Sequence, residues 1–197
     1  GYSATESGYL FMPMAVAMML GAPIGGFLTG KVQSRYVIFA STIVAAIGIF
    51  FFSYLDPKSS ALDIIIPLSV MAFGLGFGMA QRTNIIASVV PQSEIGVASS
   101  VLALVRNIAG AFGIAIFATI LGDRVKSNIF TINGFSKLNS HSPTVIQKFV
   151  SLVELKAQID AYDYVFIIAS VIIFVGAFFT LFLKLKNERT DIKVHVE

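Results

Sequence analysis

The chain has 197 residues, 56% of them hydrophobic and 13% charged, with a formal net charge of +3. A soluble domain carries about 25% charged residues, whereas this sequence holds several apolar runs of about twenty residues, the length that crosses a bilayer. The composition excludes an ordinary soluble fold, the lack of cysteine excludes disulfides and thiolate metal sites, and the modest positive charge, gathered in loops and tail, suits membrane topology and anionic lipid rather than nucleic acid.

The first residue is Gly1, and Gly1 to Gly8 contains Glu6 and no basic residue. A secretory signal needs a positive start, so the first apolar run is read as a span of a longer polytopic protein cut on its N-terminal side. That span covers 9–28 and contains Pro13 and Pro23, tolerated in membrane helices and natural places for bends. The second covers 37–55 and ends in the polar turn Asp56-Pro57-Lys58-Ser59-Ser60. The third begins near Ile64 and continues through Gln81, Arg82, Thr83 and Asn84 to about Val90, where Pro91 breaks it.

The fourth span, 95–121, is roughly 40 Å of helix against a hydrocarbon core of about 30 Å. It carries Arg106 and Asn107 more than ten residues from either end. A cation at that depth costs about 2.5–3.5 kcal/mol on insertion scales, so a carboxylate, backbone carbonyls or a water-filled cavity is expected beside it. Small residues crowd the same helix, Gly110 and Gly113 among them, and suit close helix packing.

Residues 123–163 are expected to form an extramembrane loop, with 128–142 irregular. Within it, Ser142 and Pro143 read as an N-cap and first helical residue. Ile146, Phe149, Val150, Val153 and Ala157 then recur at helical spacing, predicting an amphipathic helix over 143–158 that lies on the membrane or packs on the bundle. The last span covers 164–185, and 186–197 form a charged tail. The predicted fold class is therefore all-α, a polytopic bundle of five membrane helices.

Placing the Lys31–Arg35 turn in the cytoplasm puts seven basic residues inside (Lys31, Arg35, Arg82, Lys184, Lys186, Arg189, Lys193) and six outside (Lys58, Arg124, Lys126, Lys137, Lys148, Lys156). The short segments favour this orientation, and with it a cytoplasmic C-terminus. Gly21 with Gly25, and Gly74 with Gly78, form small-xxx-small faces for helix contact. Arg106 and Asn107 are the candidate polar site, functional or structural. Gln81 and Asn84, with Arg82, either line a cavity or mark an interfacial helix end. Asp63 and Asp163 read as boundary residues. No enzyme chemistry is expected: His141 and His195 have no metal-ligand spacing, Ser99 and Ser100 lack a neighbouring base, and Gly74-x-Gly-x-Gly78 lacks the Lys-Ser/Thr of a phosphate loop. No cofactor is expected either.

The turn Gly26-Phe-Leu-Thr-Gly-Lys-Val-Gln-Ser-Arg-Tyr36 resembles the loop motif of the major facilitator superfamily, Gly-x-Leu-x-Asp-Arg-x-Gly-Arg-Arg. Gly26, Leu28, Lys31 and Arg35 match, whereas Gly30 stands at the acid's position, Gln33 at a glycine and Ser34 at a basic residue. Gly1-Tyr-Ser-Ala-Thr-Glu-Ser-Gly8 with Pro13, Gly74-Leu-Gly-Phe-Gly78 with Pro91, and Arg106-Asn-Ile-Ala-Gly-Ala-Phe-Gly113 follow in the order found in the fourteen-span drug:proton antiporter family. The resemblance implies helices ten to fourteen of such a transporter. It implies a small-molecule substrate, protons as coupling ion, the lipid bilayer as surroundings and the N-terminal half of the same protein as partner, in a cytoplasmic membrane. It also implies proton-coupled drug efflux by alternating access, with the proton-carrying acids in the absent half. A metabolite transporter of the same superfamily, or a non-transporting helical membrane module, is compatible with the residues alone.

Overall fold

The computed structural model describes residues 4–56, 59–135 and 143–182. They form six helices and two short 3-10 turns: α1 (Ala4–Phe27), α2 (Ser34–Phe51) with the turn Phe52–Tyr54, α3 (Ala61–Phe77), α4 (Met79–Val89), the turn Gln92–Glu94, α5 (Ile95–Phe135) and α6 (Pro143–Leu181). Five stretches are long and apolar enough to cross a membrane, α3 and α4 together making one of them. The fold is the expected all-α membrane bundle.

Gly78 joins α3 to α4 with little break. Its N–H donates to the Gly74 carbonyl at 3.3 Å and its own carbonyl accepts from Arg82 N at 3.2 Å, so helical bonding runs through the junction. At the other end of α3, Ser60 N donates to Asp63 Oδ2 at 2.7 Å in a capping box. That bond occupies Asp63 with the helix start.

α3 lies between α1 and α2, α2 reaches on to α6, and α6 to α5. Glycines set the two closest approaches. A Cβ on Gly25 would fall on the Phe77 carbonyl, and one on Gly74 would come within 2.5 Å of Ala45 N and 2.7 Å of Ser41 O. Gly21 likewise abuts the Phe73 carbonyl, Gly76 the Met18 carbonyl and Gly48 the Met71 backbone. Backbones meet here because no side chain stands between them.

The helix ends beyond α4 differ from those expected of the sequence. α5 does not stop at Leu121 but runs to Phe135, and the segment from Asn128 that reads as irregular is helical through 135. The amphipathic stretch 143–158 and the last span are one continuous helix of 39 residues rather than two elements. The reason is local. From Thr144 to Val175 there is neither Gly nor Pro, and in α5 no proline follows Ile95, so nothing stops either helix where it leaves lipid. Val153, Ala157 and Ala161 of α6 are buried, while Ile146 and Val150 of the predicted apolar face are exposed. Asn128 Nδ2 of α5 donates to the Ala157 carbonyl at 3.2 Å, linking the two extensions. The predicted N-cap Ser142 and the tail 186–197 lie outside the described residues.

Candidate functional site

α4 runs beneath the adjoining ends of α1 and α2. Gly74, Gly78 and Gln81 follow at i, i+4 and i+7, so they share one helix face, and the two glycines let that face approach its neighbours closely. Gln81 is brought fully inside, with 0% of its surface exposed. Its Oε1 accepts from Ser34 Oγ at 2.8 Å, and its Nε2 donates to Thr29 Oγ1 at 2.9 Å and to the Gly25 carbonyl at 3.2 Å. One amide thus ties the end of α1, the turn after it and the start of α2 to α4. Both of its N–H donors are used, which a buried amide needs.

The turn itself is shaped by backbone bonds. Thr29 N donates to Gly26 O at 3.0 Å, and Lys31 N and Val32 N both donate to Leu28 O at 3.1 Å. Gly30 has φ of +79°, the left-handed conformation that glycine adopts freely and an aspartate adopts at a cost. A glycine at the acid's position therefore fits the local geometry of this turn. The basic residues point outward against aromatic rings: Lys31 Nζ lies 3.3 Å from the Phe27 ring centroid, and Arg35 Nη2 donates to Tyr36 Oη at 3.1 Å. Arg35 Nε is buried without a hydrogen-bond partner among the described residues.

The predicted polar residues separate into two environments. Gln81 sits in the interhelix contact just described. Arg82, next to it, is half-buried and donates weakly to Thr42 Oγ1 at 3.4 Å. Asn84, Arg106 and Asn107 are exposed in this chain. Arg82 and Arg106 come within electrostatic reach of each other, and neither has a carboxylate partner among the described residues, whose ion pair is Lys156–Asp160 at 2.7 Å.

α5 seen whole fixes the position of Arg106 along its length. Eighteen residues separate it from Arg124, about 27 Å of helix. The Arg124 guanidinium lies 3.7 Å from the centroid of the Tyr164 ring, an arginine–tyrosine pair of the kind that settles at a membrane interface. One hydrocarbon thickness spans about 30 Å. Arg106 thus lies about 16 Å along α5 from its start at Ile95 and about 27 Å from Arg124, at the end of the bundle that holds Arg82.

A Cβ on Gly110 or Gly113 would meet nothing within 4 Å, unlike one on Gly21, Gly25, Gly74 or Gly76. The sequence reading did not single out Ser34 or Thr29 as partners of Gln81. The available signal was the register of Gln81 with Gly74 and Gly78. Among the described residues no three His, Cys, Asp or Glu side chains gather as a metal site would require.

Sequence comparison gives these features a setting. The chain is 29% identical over 160 residues to the multidrug transporter protein MdtP of Bacillus subtilis, covering 81% of this chain and 29% of that protein. It is 32% identical over 124 residues to the cephamycin export protein CmcT of Amycolatopsis lactamdurans, 62% of this chain and 26% of that one. With the riboflavin transporter RibZ of Clostridioides difficile it shares 26% identity over 189 residues, 95% of this chain and 37% of the relative. The chain thus spans between about a quarter and two fifths of the length of these relatives. The family model described as Major Facilitator Superfamily matches residues 1–114, more than half of the sequence and all of the region that holds the glycine contacts, the Gln81 bonds and Arg106: the chain belongs to that superfamily.

Proposed function

We propose that the chain is the C-terminal part of a secondary active transporter that exports lipophilic or cationic small molecules in exchange for protons, in a prokaryotic cytoplasmic membrane. The observation that carries this reading is α5. Every residue from 99 to 112 is exposed, including Arg106, Asn107 and the small residues Ala103 and Gly110. A helix with charge, amide and glycine on an uncovered surface suits close contact with a second bundle and a polar path between the two. The relatives' greater length supplies room for such a bundle, and the N-terminal half of the same protein is its proposed source. Alternating access then means rocking of that half against the α5 face.

In this account α1, α2 and α3–α4 move as one body, held by the glycine contacts and by Gln81. Arg106 and Asn107 face the other half and its substrate path, with Asn84 near the cytoplasmic rim. The Lys31–Arg35 turn and the C-terminus lie in the cytoplasm. The names of two relatives, a multidrug transporter and a cephamycin exporter, favour export of bulky organic molecules. A second reading, transport of a metabolite, is favoured by the riboflavin transporter, whose match covers nearly the whole chain.

The experiment is transport by the full-length protein in everted membrane vesicles, with and without a proton gradient, beside the Arg106→Ala variant. Gradient-driven accumulation of a lipophilic cation, lost in the variant while membrane insertion is retained, supports the reading. Unchanged transport by Arg106→Ala removes that residue from it.

A further inference from the structure

At the end of the bundle opposite Gln81, a cavity of about 540 Å³ opens between the end of α2, the start of α3 and α6. That volume lies within the range of small-molecule sites. Its walls include Phe52, Ile64, Tyr162 and Phe166, with Asp56 and Asp163 at its polar side. The Phe52 and Phe166 rings stack with centroids 5.2 Å apart and planes 28° apart, and Tyr162 stacks on Phe166 at 6.4 Å and 27°. Three roughly parallel rings therefore form a continuous aromatic wall contributed by the turn after α2 and by α6, distant in sequence.

The charges nearby divide clearly. Asp63 is engaged at the start of α3 by Ser60, and Asp160 is paired with Lys156 at 2.7 Å. Asp56 and Asp163 are close enough for their charges to interact. Neither side chain has a hydrogen-bond or ion-pair partner among the described residues, from which Lys58 is absent, although the Lys156 ammonium lies within electrostatic reach of both, so that Asp56, Asp160 and Asp163 share one cation. Three carboxylates sharing one ammonium leave the polar side of the cavity net negative, and an organic cation there relieves that excess. Aromatic faces attract the same cation through their quadrupoles. A neutral ligand gains only the apolar contact, and an anion meets two like charges.

We propose that this cavity is a peripheral binding site for organic cations with an aromatic body, the rings taking the body and Asp56 and Asp163 the charge. It is separate from Arg106, which lies about one membrane thickness away along α5. The inference rests on the transporter reading above only for which side of the membrane the cavity faces.

The test uses a single cysteine, Leu155→Cys, on the exposed rim of the cavity, in the full-length protein stripped of any other cysteine. Labelling by a water-soluble maleimide is followed with tetraphenylphosphonium or with tetraphenylborate, which has the same shape and the opposite charge. The expected result is that tetraphenylphosphonium slows labelling several-fold and tetraphenylborate does not. With Asp56→Asn and Asp163→Asn together, protection is expected to vanish while the ligand-free labelling rate stays the same. Should that double variant misfold, Phe166→Leu carries the same test, since it removes a ring yet keeps an apolar side chain, and weakened protection is expected. Equal protection by both ions, protection by neither, or protection that survives these substitutions overturns the proposal. Because the readout needs no transport, protection without proton-driven export would sink the transporter reading and leave this site standing.

Discussion

Ser34 at the start of α2 donates its hydroxyl hydrogen to Gln81 Oε1 of α4 at 2.8 Å, across 47 residues of sequence and with both side chains buried. Gln81 uses its remaining donors on Thr29 and on the Gly25 carbonyl. The turn that in the superfamily motif carries an acid and several basic residues is thus held from inside by a neutral amide. Neutral hydrogen bonds suit this place. They are weakly dependent on salt and pH, and they leave Lys31 and Arg35 free to face the membrane surface.

Gln81→Leu is expected to destabilise the full-length protein by about 1–3 kcal/mol, because it removes three interhelix hydrogen bonds at once, those with Ser34, Thr29 and the Gly25 carbonyl. Ser34→Ala removes one bond of three and should cost less. Thermal unfolding in detergent checks both, and a Gln81→Leu protein as stable as the parent would show that the contact carries no weight.

Gly25→Ala places a methyl group on the Phe77 carbonyl. Overpacking of this kind costs about 1–3 kcal/mol, and here the obstacle is backbone, so α1 and α3 must separate. A fall in folded yield is expected. Gly122→Ala is the control, because its Cβ would meet nothing within 4 Å, and removing a helical glycine favours the helix by roughly 0.5–1 kcal/mol.

Gly113→Leu separates folding from function. Gly113 has open space in this chain, so folded yield should be unchanged. If α5 packs closely on another bundle, the added side chain blocks that approach and export falls at least tenfold. Full export by Gly113→Leu would place the contact elsewhere on α5.

Single cysteines at positions 106 and 124 test whether Arg106 opens to the cytoplasmic side of the proposed path. The arginines are about 27 Å apart along the helix, so an impermeant thiol reagent should reach position 124 from outside and position 106 from the cytoplasmic side. Reaction of both from one side contradicts the placement.

The five spans were legible because a bilayer demands runs of about twenty apolar residues, and composition alone reveals those. Helix ends were not legible at α5 and α6. Hydropathy reports where the chain leaves lipid, whereas a helix stops only where its backbone bonding does, and Asp123 to Ile132 contains no breaker. Gln81 stood out as a polar residue near an apolar run, but an amide there can line a cavity or join helices. Which of these it does depends on Thr29 and Ser34, some fifty residues earlier, and no local pattern connects them.

Proton-driven export by the full-length protein tests the account most directly. Everted vesicles are energised with an acid interior and given a fluorescent lipophilic cation. Accumulation that collapses on adding a protonophore, and that is lost in Arg106→Ala and Gly113→Leu proteins inserted at parent levels, is the predicted result. Accumulation indifferent to the protonophore, or no accumulation by a correctly inserted parent protein with any cation tried, would contradict it.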